Sequence, residues 1–293
     1  MRSRDENAAA AKTAFVVCGP TASGKSEVSD ELAERLTDVR GRHVPTLAVD
    51  SMQVFRELPI ITNQARRRPA ELVGIVSVSE EWSVAAHRAR AEEIVAQEPD
   101  FVLDAGTGMY LNAILLDFPL APKVAPELRR RAEEASTGAS NPRRAARVRE
   151  LELSGADVRG SVWEGDLRYG TTIFYLRPER SELDAAIAER SGKIARDGLH
   201  EAELLRDMIS RKEKISPSVL ESVGVRELLR QVSGEISLEQ AEETMAARTR
   251  RLARRQIRWF DKLTRTLDGR ARITVLRDRR RPALHSMHDI IGS

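Results

Sequence analysis

The eight residues Gly19-Pro20-Thr21-Ala22-Ser23-Gly24-Lys25-Ser26 constrain this chain more than any other stretch of it. They fit G-x-x-x-x-G-K-[ST], a loop whose successive backbone amides form a nest for phosphate oxygens. The motif carries weight only between a strand and a helix, and both are readable here. Thr13 to Cys18 is a short β-branched and aromatic run ending at Gly19, the pattern of a buried strand. Gly24 to Thr37 reads as a helix, whose N-terminal dipole adds to the attraction for an anion. Lys25 brings a point charge, and Ser26 a hydroxyl for a magnesium ion, the one metal and cofactor expected. Gly19, Thr21, Ala22, Ser23, Gly24, Lys25 and Ser26 are therefore the candidate diphosphate-binding residues. Taken alone, such a loop predicts a diphosphate or triphosphate ligand and makes a small-molecule kinase the default, with Asp104 as a second acidic residue near the metal.

The strand-loop-helix unit recurs. A second strand is predicted over Val44 to Val49, ending in Asp50, and Leu72 to Val78 alternates like another. Val84 to Gln97 reads as a helix, and Phe101 to Leu103 as a third apolar run before Asp104. Gly106-Thr107-Gly108 then opens a helix from Met109 to Leu116. Repetition of this kind predicts an α/β fold with a P-loop parallel sheet core flanked by helices. From Ala125 to Gly155 the chain is helical and arginine-rich, broken at Thr137-Gly138 and Asn141-Pro142, which suits a helical hairpin inserted in the core. Thr171 to Leu176 is one more strand candidate. Ser181 to Thr266 reads as almost wholly helical, with breaks at Gly198, Pro217, Gly224 and Gly234. The expected layout is a core over 12–120 and 165–275, a helical insertion over 121–164, a helical C-terminal part and a disordered arm over 1–11.

Composition excludes several classes. Cys18 is the sole cysteine, so neither an intrachain disulfide nor a cysteine-based zinc finger is possible. No run of eighteen apolar residues occurs and the N-terminus has no signal-peptide core, so the expectation is a cytoplasmic protein with no membrane partner, a monomer. A net charge of +3 fits a phosphorylated or nucleic-acid partner, and the arginine excess is local.

Four further segments join the phosphate loop: Asp50-Ser51-Met52-Gln53-Val54-Phe55, Ala105-Gly106-Thr107-Gly108-Met109-Tyr110-Leu111, Ser222 to Leu229 (SVGVRELL), and Thr249 to Phe260 (TRRLARRQIRWF). In this order and spacing, from about residue 13 to 265, the chain resembles the tRNA dimethylallyltransferases (isopentenyltransferases). The resemblance implies that the phosphate loop holds the pyrophosphate of dimethylallyl diphosphate in place of ATP. It implies that Asp50 is the general base toward an adenine amine and that Thr107 contacts the reacting groups, with Lys25 completing the catalytic set. It also places the late Arg-Gln helix near substrate.

The residues suit that chemistry. An adenine amine is a weak nucleophile, so the allylic carbon must carry cationic character as pyrophosphate leaves. Loop amides, Lys25 and magnesium stabilise the departing charge. Asp50, at the C-terminal end of a strand, is placed to accept the amine proton. Without the resemblance, Asp50 and Thr107 would read as turn and cap residues. Gln53 suits bidentate pairing with adenine or simple exposure.

Arg248 to Arg258 holds six arginines in eleven residues and no acid. Like charges three and four apart on a helix repel, and a polyanion relieves that repulsion. Leu252, Ile257, Trp259, Phe260 and Leu263 suit the buried side. The acceptor-binding candidates are Ser51, Gln53, Arg226, Arg254, Arg255, Gln256 and Arg258. The sequence also departs from the family pattern. Met52 replaces an arginine, Ala105 a glycine and Val225 an aromatic, and an expected histidine pair is missing near Glu71-Leu72-Val73-Gly74. Ile60 to Gln64 resembles the adenylate isopentenyltransferases that make cytokinins. The arginine-rich box of the tRNA enzymes is reduced to a remnant over Arg143 to Gly155, within an insertion that looks shortened. The donor site is untouched by these departures, and the acceptor stays open between tRNA and a free adenine nucleotide.

Overall fold

The computed structural model describes residues 12–122, 124–138, 142–155 and 161–277. The arm expected over 1–11 lies outside them. Among the described residues, five strands form one all-parallel sheet in the order β2-β3-β1-β4-β5. They are β1 Thr13–Cys18, β2 Thr46–Val49, β3 Asp100–Ala105, β4 Gly170–Leu176 and β5 Arg272–Leu276. In β1, Ala14 to Cys18 are all buried, because a parallel sheet is covered by helices on both faces and its central strands have no wet side. From β1 the chain runs outward to β2, returns to β3 on one flank of β1, and later adds β4 on the other. The order reverses at β1, and the loops beyond the C-terminal ends of β1 and β3 meet at that switch point.

Helix α1 (Lys25–Arg40) starts at Gly24 and stops at Gly41, both left-handed, with φ of 87° and 64°. Helices α2 (Val84–Val95) and α3 (Gly108–Leu115) follow, and α3 leaves β3 through the Gly106-Thr107 turn. Beyond β4 come α6 (Arg180–Asp197), α7 (Leu199–Ser210), α8 (Pro217–Leu220), α9 (Val225–Val232) and α10 (Leu238–Thr266). Gly198, Pro217, Gly224 and Gly234 fall at or between their ends, as their backbone preferences dictate. The start of α10 is a reciprocal cap. Ser237 Oγ accepts the Gln240 amide at 3.2 Å, and Gln240 Oε1 accepts the Ser237 amide at 2.9 Å.

Two sequence expectations need correction. Leu72 to Val78 is not a strand: it makes only isolated bridges, Leu47 to Glu71 and Phe55 to Val76, just before and within the run. Leu72 and Gly74 are left-handed (φ 66° and 62°), which breaks any ladder, while Leu72, Val76 and Val78 are buried. The alternation recorded burial, not pairing. Conversely β5 was missed, although Ile273-Thr274-Val275 after the left-handed turn at Gly269 (φ 71°) carries the β-branched signal.

Contacts divide the chain into two compact units, one running to Leu115 and resuming at Leu167, the other Leu116–Asp166. The second holds α4 (Pro126–Glu134) packed against α5 (Pro142–Ser154). Its two ends are joined by the Asp117 amide donating to the Asp166 carbonyl at 2.9 Å. Gly165 lies so close that a Cβ there would stand 2.2 Å from the Asp117 carbonyl oxygen. No helix among the described residues is long and apolar enough to cross a membrane.

Candidate active site

The phosphate loop is shaped by two close approaches and two left-handed residues. A Cβ on Gly19 would sit 2.5 Å from the Leu176 carbonyl oxygen, so only glycine lets the chain leave β1 beside β4. Ala22 (φ 63°) and Gly24 (φ 87°) flank Ser23, the alternation that turns successive amides inward. The Ser23 amide donates to the Pro20 carbonyl at 3.3 Å and Lys25 Nζ to the same oxygen at 2.9 Å. Ser23 Oγ is buried with no hydrogen-bond partner among the described residues, a polar atom suited to an anion's oxygen. Ser26 Oγ donates to Asp104 Oδ2 at 2.8 Å, so the acidic residue after the third apolar run does stand behind the loop.

Asp50 and Thr107 arrive from β2 and β3. The Gly106 and Thr107 amides both donate to the Val49 carbonyl, at 3.2 and 3.0 Å, which ties the two strand ends together. Thr107 Oγ1 then accepts the Ser51 amide at 3.1 Å. Asp50 Oδ1 accepts the amides of Met52 (2.8 Å) and Gln53 (3.4 Å), a turn that leaves Oδ2 pointing across Gly106. A Cβ on Gly106 would stand 2.9 Å from Asp50 Oδ2 and 3.8 Å from both Lys25 Cε and Gln256 Nε2. Asp50, the loop lysine and the late-helix glutamine thus converge over one glycine.

Gln256 spans the site. Its Oε1 accepts the Thr21 amide at 2.8 Å and its Nε2 donates to the Gly106 carbonyl at 2.9 Å. Trp259, one turn on, packs on Gly108, where a Cβ would meet the indole at 2.2 Å, and its Nε1 donates to Asn112 at 3.2 Å. Tyr175 on β4 donates to Asp261 at 2.9 Å and so fixes α10 to the sheet.

Sequence reading missed Arg190. It lies half-buried on α6, where burial disfavours its charge and the Asp50 carboxylate supports it. Lys25 is likewise lowered by burial, raised by Asp104, lowered by Arg190 and raised by Asp50. Arg190 makes no ion pair among the described residues and shares Asp50 with Lys25, which Asp104 also supports, an arrangement in which an anionic ligand would offset the clustered positive charge. A signal was available. Leu183, Ala186, Ile187 and Arg190 follow the i, i+3, i+4, i+7 spacing of a buried stripe, and an arginine on such a stripe needs a partner.

The acceptor candidates divide. Gln256 belongs to the convergence, and Ser51 adjoins it through its amide on Thr107 Oγ1. Gln53 Nε2 is spent within its own loop, donating to the carbonyls of Thr62 (3.4 Å) and Asn63 (3.0 Å). Arg226 is exposed on α9, 3.8 Å from Glu221, on a helix packed against α7 and α10. Arg254, Arg255 and Arg258 are exposed on α10. Of the side chains expected on its buried side, Phe260 and Leu263 are buried, while Leu252, Ile257 and Trp259 are partly so.

Known proteins share this chain's sequence and fold. The family model described as IPP transferase matches residues 53–152 and 135–263. A tRNA dimethylallyltransferase of Rubrobacter xylanophilus is 61% identical over 283 residues, 94% of this chain and 97% of that protein. One of Rickettsia canadensis is 27% identical, over 86% of this chain and 88% of that protein. The full-length tRNA isopentenylpyrophosphate transferase of Bacillus halodurans superposes with a TM-score of 0.68 at 25% identity, covering 96% of each chain. A eukaryotic dimethylallyltransferase acting on tRNA shares the fold, with a TM-score of 0.71 at 21% identity over 96% of this chain and 78% of that one. The extent of the family match and the identity to the Rubrobacter protein make the chain a member of the tRNA dimethylallyltransferase (IPP transferase) family.

Proposed function

We propose that this chain transfers a dimethylallyl group from dimethylallyl diphosphate to the exocyclic N6 of an adenosine 3′ of the anticodon in tRNA. The observation that carries the reading is the meeting of Asp50, Lys25 and Gln256 over Gly106, with Arg190 facing the same space. The phosphate loop, Lys25 and Arg190 bind the diphosphate and take up charge as the bond from C1 to oxygen breaks. Pyrophosphate leaves with that electron pair, N6 bonds to C1, and Asp50 accepts the N6 proton. Thr107, fixed by the Ser51 amide, and Asp50, fixed by its turn, are held rigidly for this step. The hard oxygens of Ser26 and Asp104 and the unpartnered Ser23 hydroxyl fit magnesium diphosphate, with Ser26 as ligand to the ion. When bound, the ion neutralises charge on the leaving group.

The kinase reading of the loop yields to family membership. Between the remaining acceptors, the bare arginine face of α10 favours a polyanion over a free nucleotide. A cytoplasmic monomer is part of the same proposal.

Incubation with labelled dimethylallyl diphosphate and, separately, bulk tRNA and AMP tests it. Label is expected in tRNA, and Asp50→Ala should cut that rate by roughly 10² to 10⁴. Brisk labelling of AMP with none of tRNA would replace the acceptor, and ADP formation from ATP would sink the donor.

A further inference from the structure

The segment after the Asp50 loop crosses α1 through a buried ion network in which Arg66 and Asp30 have no part in the reaction as described. Arg66 Nη2 and Nε donate to Asp30 Oδ1 at 2.8 and 3.3 Å, and Arg66 Nη1 donates to Asp104 Oδ2 at 2.8 Å. The side chains of Arg66, Asp30 and Asp104 are 5%, 2% and 4% exposed. Asp30 Oδ2 also accepts the amides of Arg67 and Arg68, at 3.1 and 3.3 Å. Ser26, Asp30 and Arg66 line a common cavity of about 550 Å³.

One atom connects this network to the phosphate loop. The Asp104 Oδ2 held by Arg66 is the oxygen that accepts the Ser26 hydroxyl. A carboxylate only accepts, so the single proton of Ser26 is committed to Asp104 and its lone pairs are turned outward. Without Arg66, two buried carboxylates would lose their shared cation, and Asp104 would lose the group that holds it against Ser26. A buried ion pair is a poor way to gain stability, and a guanidinium fork spanning two carboxylates is a good way to fix geometry.

We infer that Arg66 is a positioning residue of the donor site. By clamping Asp104 against Ser26 it directs the Ser26 lone pairs at magnesium diphosphate, and so sets donor affinity more than the chemical step. This deepens the donor-site reading above and rests on it.

Calorimetric titration of inorganic pyrophosphate into the full chain, with and without magnesium chloride, tests the inference on wild type, Arg66→Lys, Ser26→Ala and the double variant. Lysine keeps the charge but lacks the fork that reaches both carboxylates. With magnesium, Arg66→Lys should weaken binding roughly 10- to 100-fold, the usual worth of a residue that orients a metal ligand. It should raise KM for dimethylallyl diphosphate with little change in kcat. In the Ser26→Ala background the same change should add less than about twofold, because both act through one hydroxyl. The cycle itself controls for the fold: a general loss of structure would weaken binding equally in the wild-type and Ser26→Ala backgrounds. Unaltered pyrophosphate binding in Arg66→Lys, or losses that add in the double variant, would each overturn the inference. Wild type that binds no pyrophosphate would remove the donor-site reading itself, and this inference with it.

Discussion

Helices α4 and α5 and helix α10 are all rich in arginine, and they use it in opposite ways. In the first pair, Arg129 meets Glu133, Arg130 meets Glu127 and Glu134, Arg147 meets Glu150, and Arg149 meets Glu152. Partners three or four residues apart cancel charge within a turn and steady the helix. On α10, Arg251, Arg254, Arg255 and Arg258 are exposed and have no acidic partner among the described residues. Two other arginines of α10 are compensated, Arg248 by Glu227 and Arg250 by Asp184. Arginine content therefore does not mark a polyanion surface. Under the proposed function, arginine left without a carboxylate would, since only that population gains on releasing phosphate counterions.

The sharpest way to break this comparison lies within α10 itself. Arg248→Ala should leave Glu227, whose side chain is 3% exposed, as a buried charge without its partner. Stability should fall by about 3–5 kcal/mol, read by denaturant unfolding, with the salt dependence of tRNA binding unchanged. A large change in that dependence would show Arg248 to be part of the bare face.

Acid gives the next largest effect. Burial pushes the His87 imidazole down to about 4, and its Nδ1 accepts the Trp82 indole hydrogen at 3.1 Å. The unfolded chain therefore takes up this proton first. Stability is complete above about pH 6.5 and should fall by about 3 kcal/mol on descent to pH 4. His87→Phe should flatten that descent. Arginines keep their charge throughout the range, so acid loss of tRNA binding should track unfolding rather than a change in salt slope. A slope that changed while the fold persisted would contradict the assignment.

The inner side of α10 comes third. Gln256→Leu cuts the bridge between the Thr21 amide and the Gly106 carbonyl and should lower kcat/KM roughly 10²-fold by misplacing the two loops. Normal turnover in this variant would reduce α10 to a charged face alone. The smallest effect separates the two arginine populations directly. Arg254→Ala with Arg255→Ala should lower the slope of log affinity against log salt by about 1.4–1.8, with unfolding unchanged. Arg130→Ala on α4 should leave that slope where it was. Equal slopes for both variants would erase the distinction.

Much of the molecule was readable because it is local. The buried strand β1 ends at Gly19 of the loop, and Gly198, Pro217, Gly224 and Gly234 punctuate the C-terminal helices. Each of these follows from backbone preference over a few residues. The alternation of Leu72 to Val78 misled for the same reason. Period-two burial arises wherever a chain lies on a core, and two left-handed residues were enough to prevent a ladder.

The sequence by itself determined the parallel α/β class, the glycine-rich loop between β1 and α1, the family and the placing of Asp50 and Thr107 at strand ends, all carried by short patterns with a fixed local geometry. Tertiary structure alone decided that Gln256 reaches Thr21 from 235 residues away, that Gln53 spends its amide on its own loop, that Arg190 faces Asp50 and that Arg66 holds Asp104 behind Ser26. Hydrogen bonds and charges act through space. Periodicity tells which face of an element is buried, but only the packing of the elements decides what that face meets.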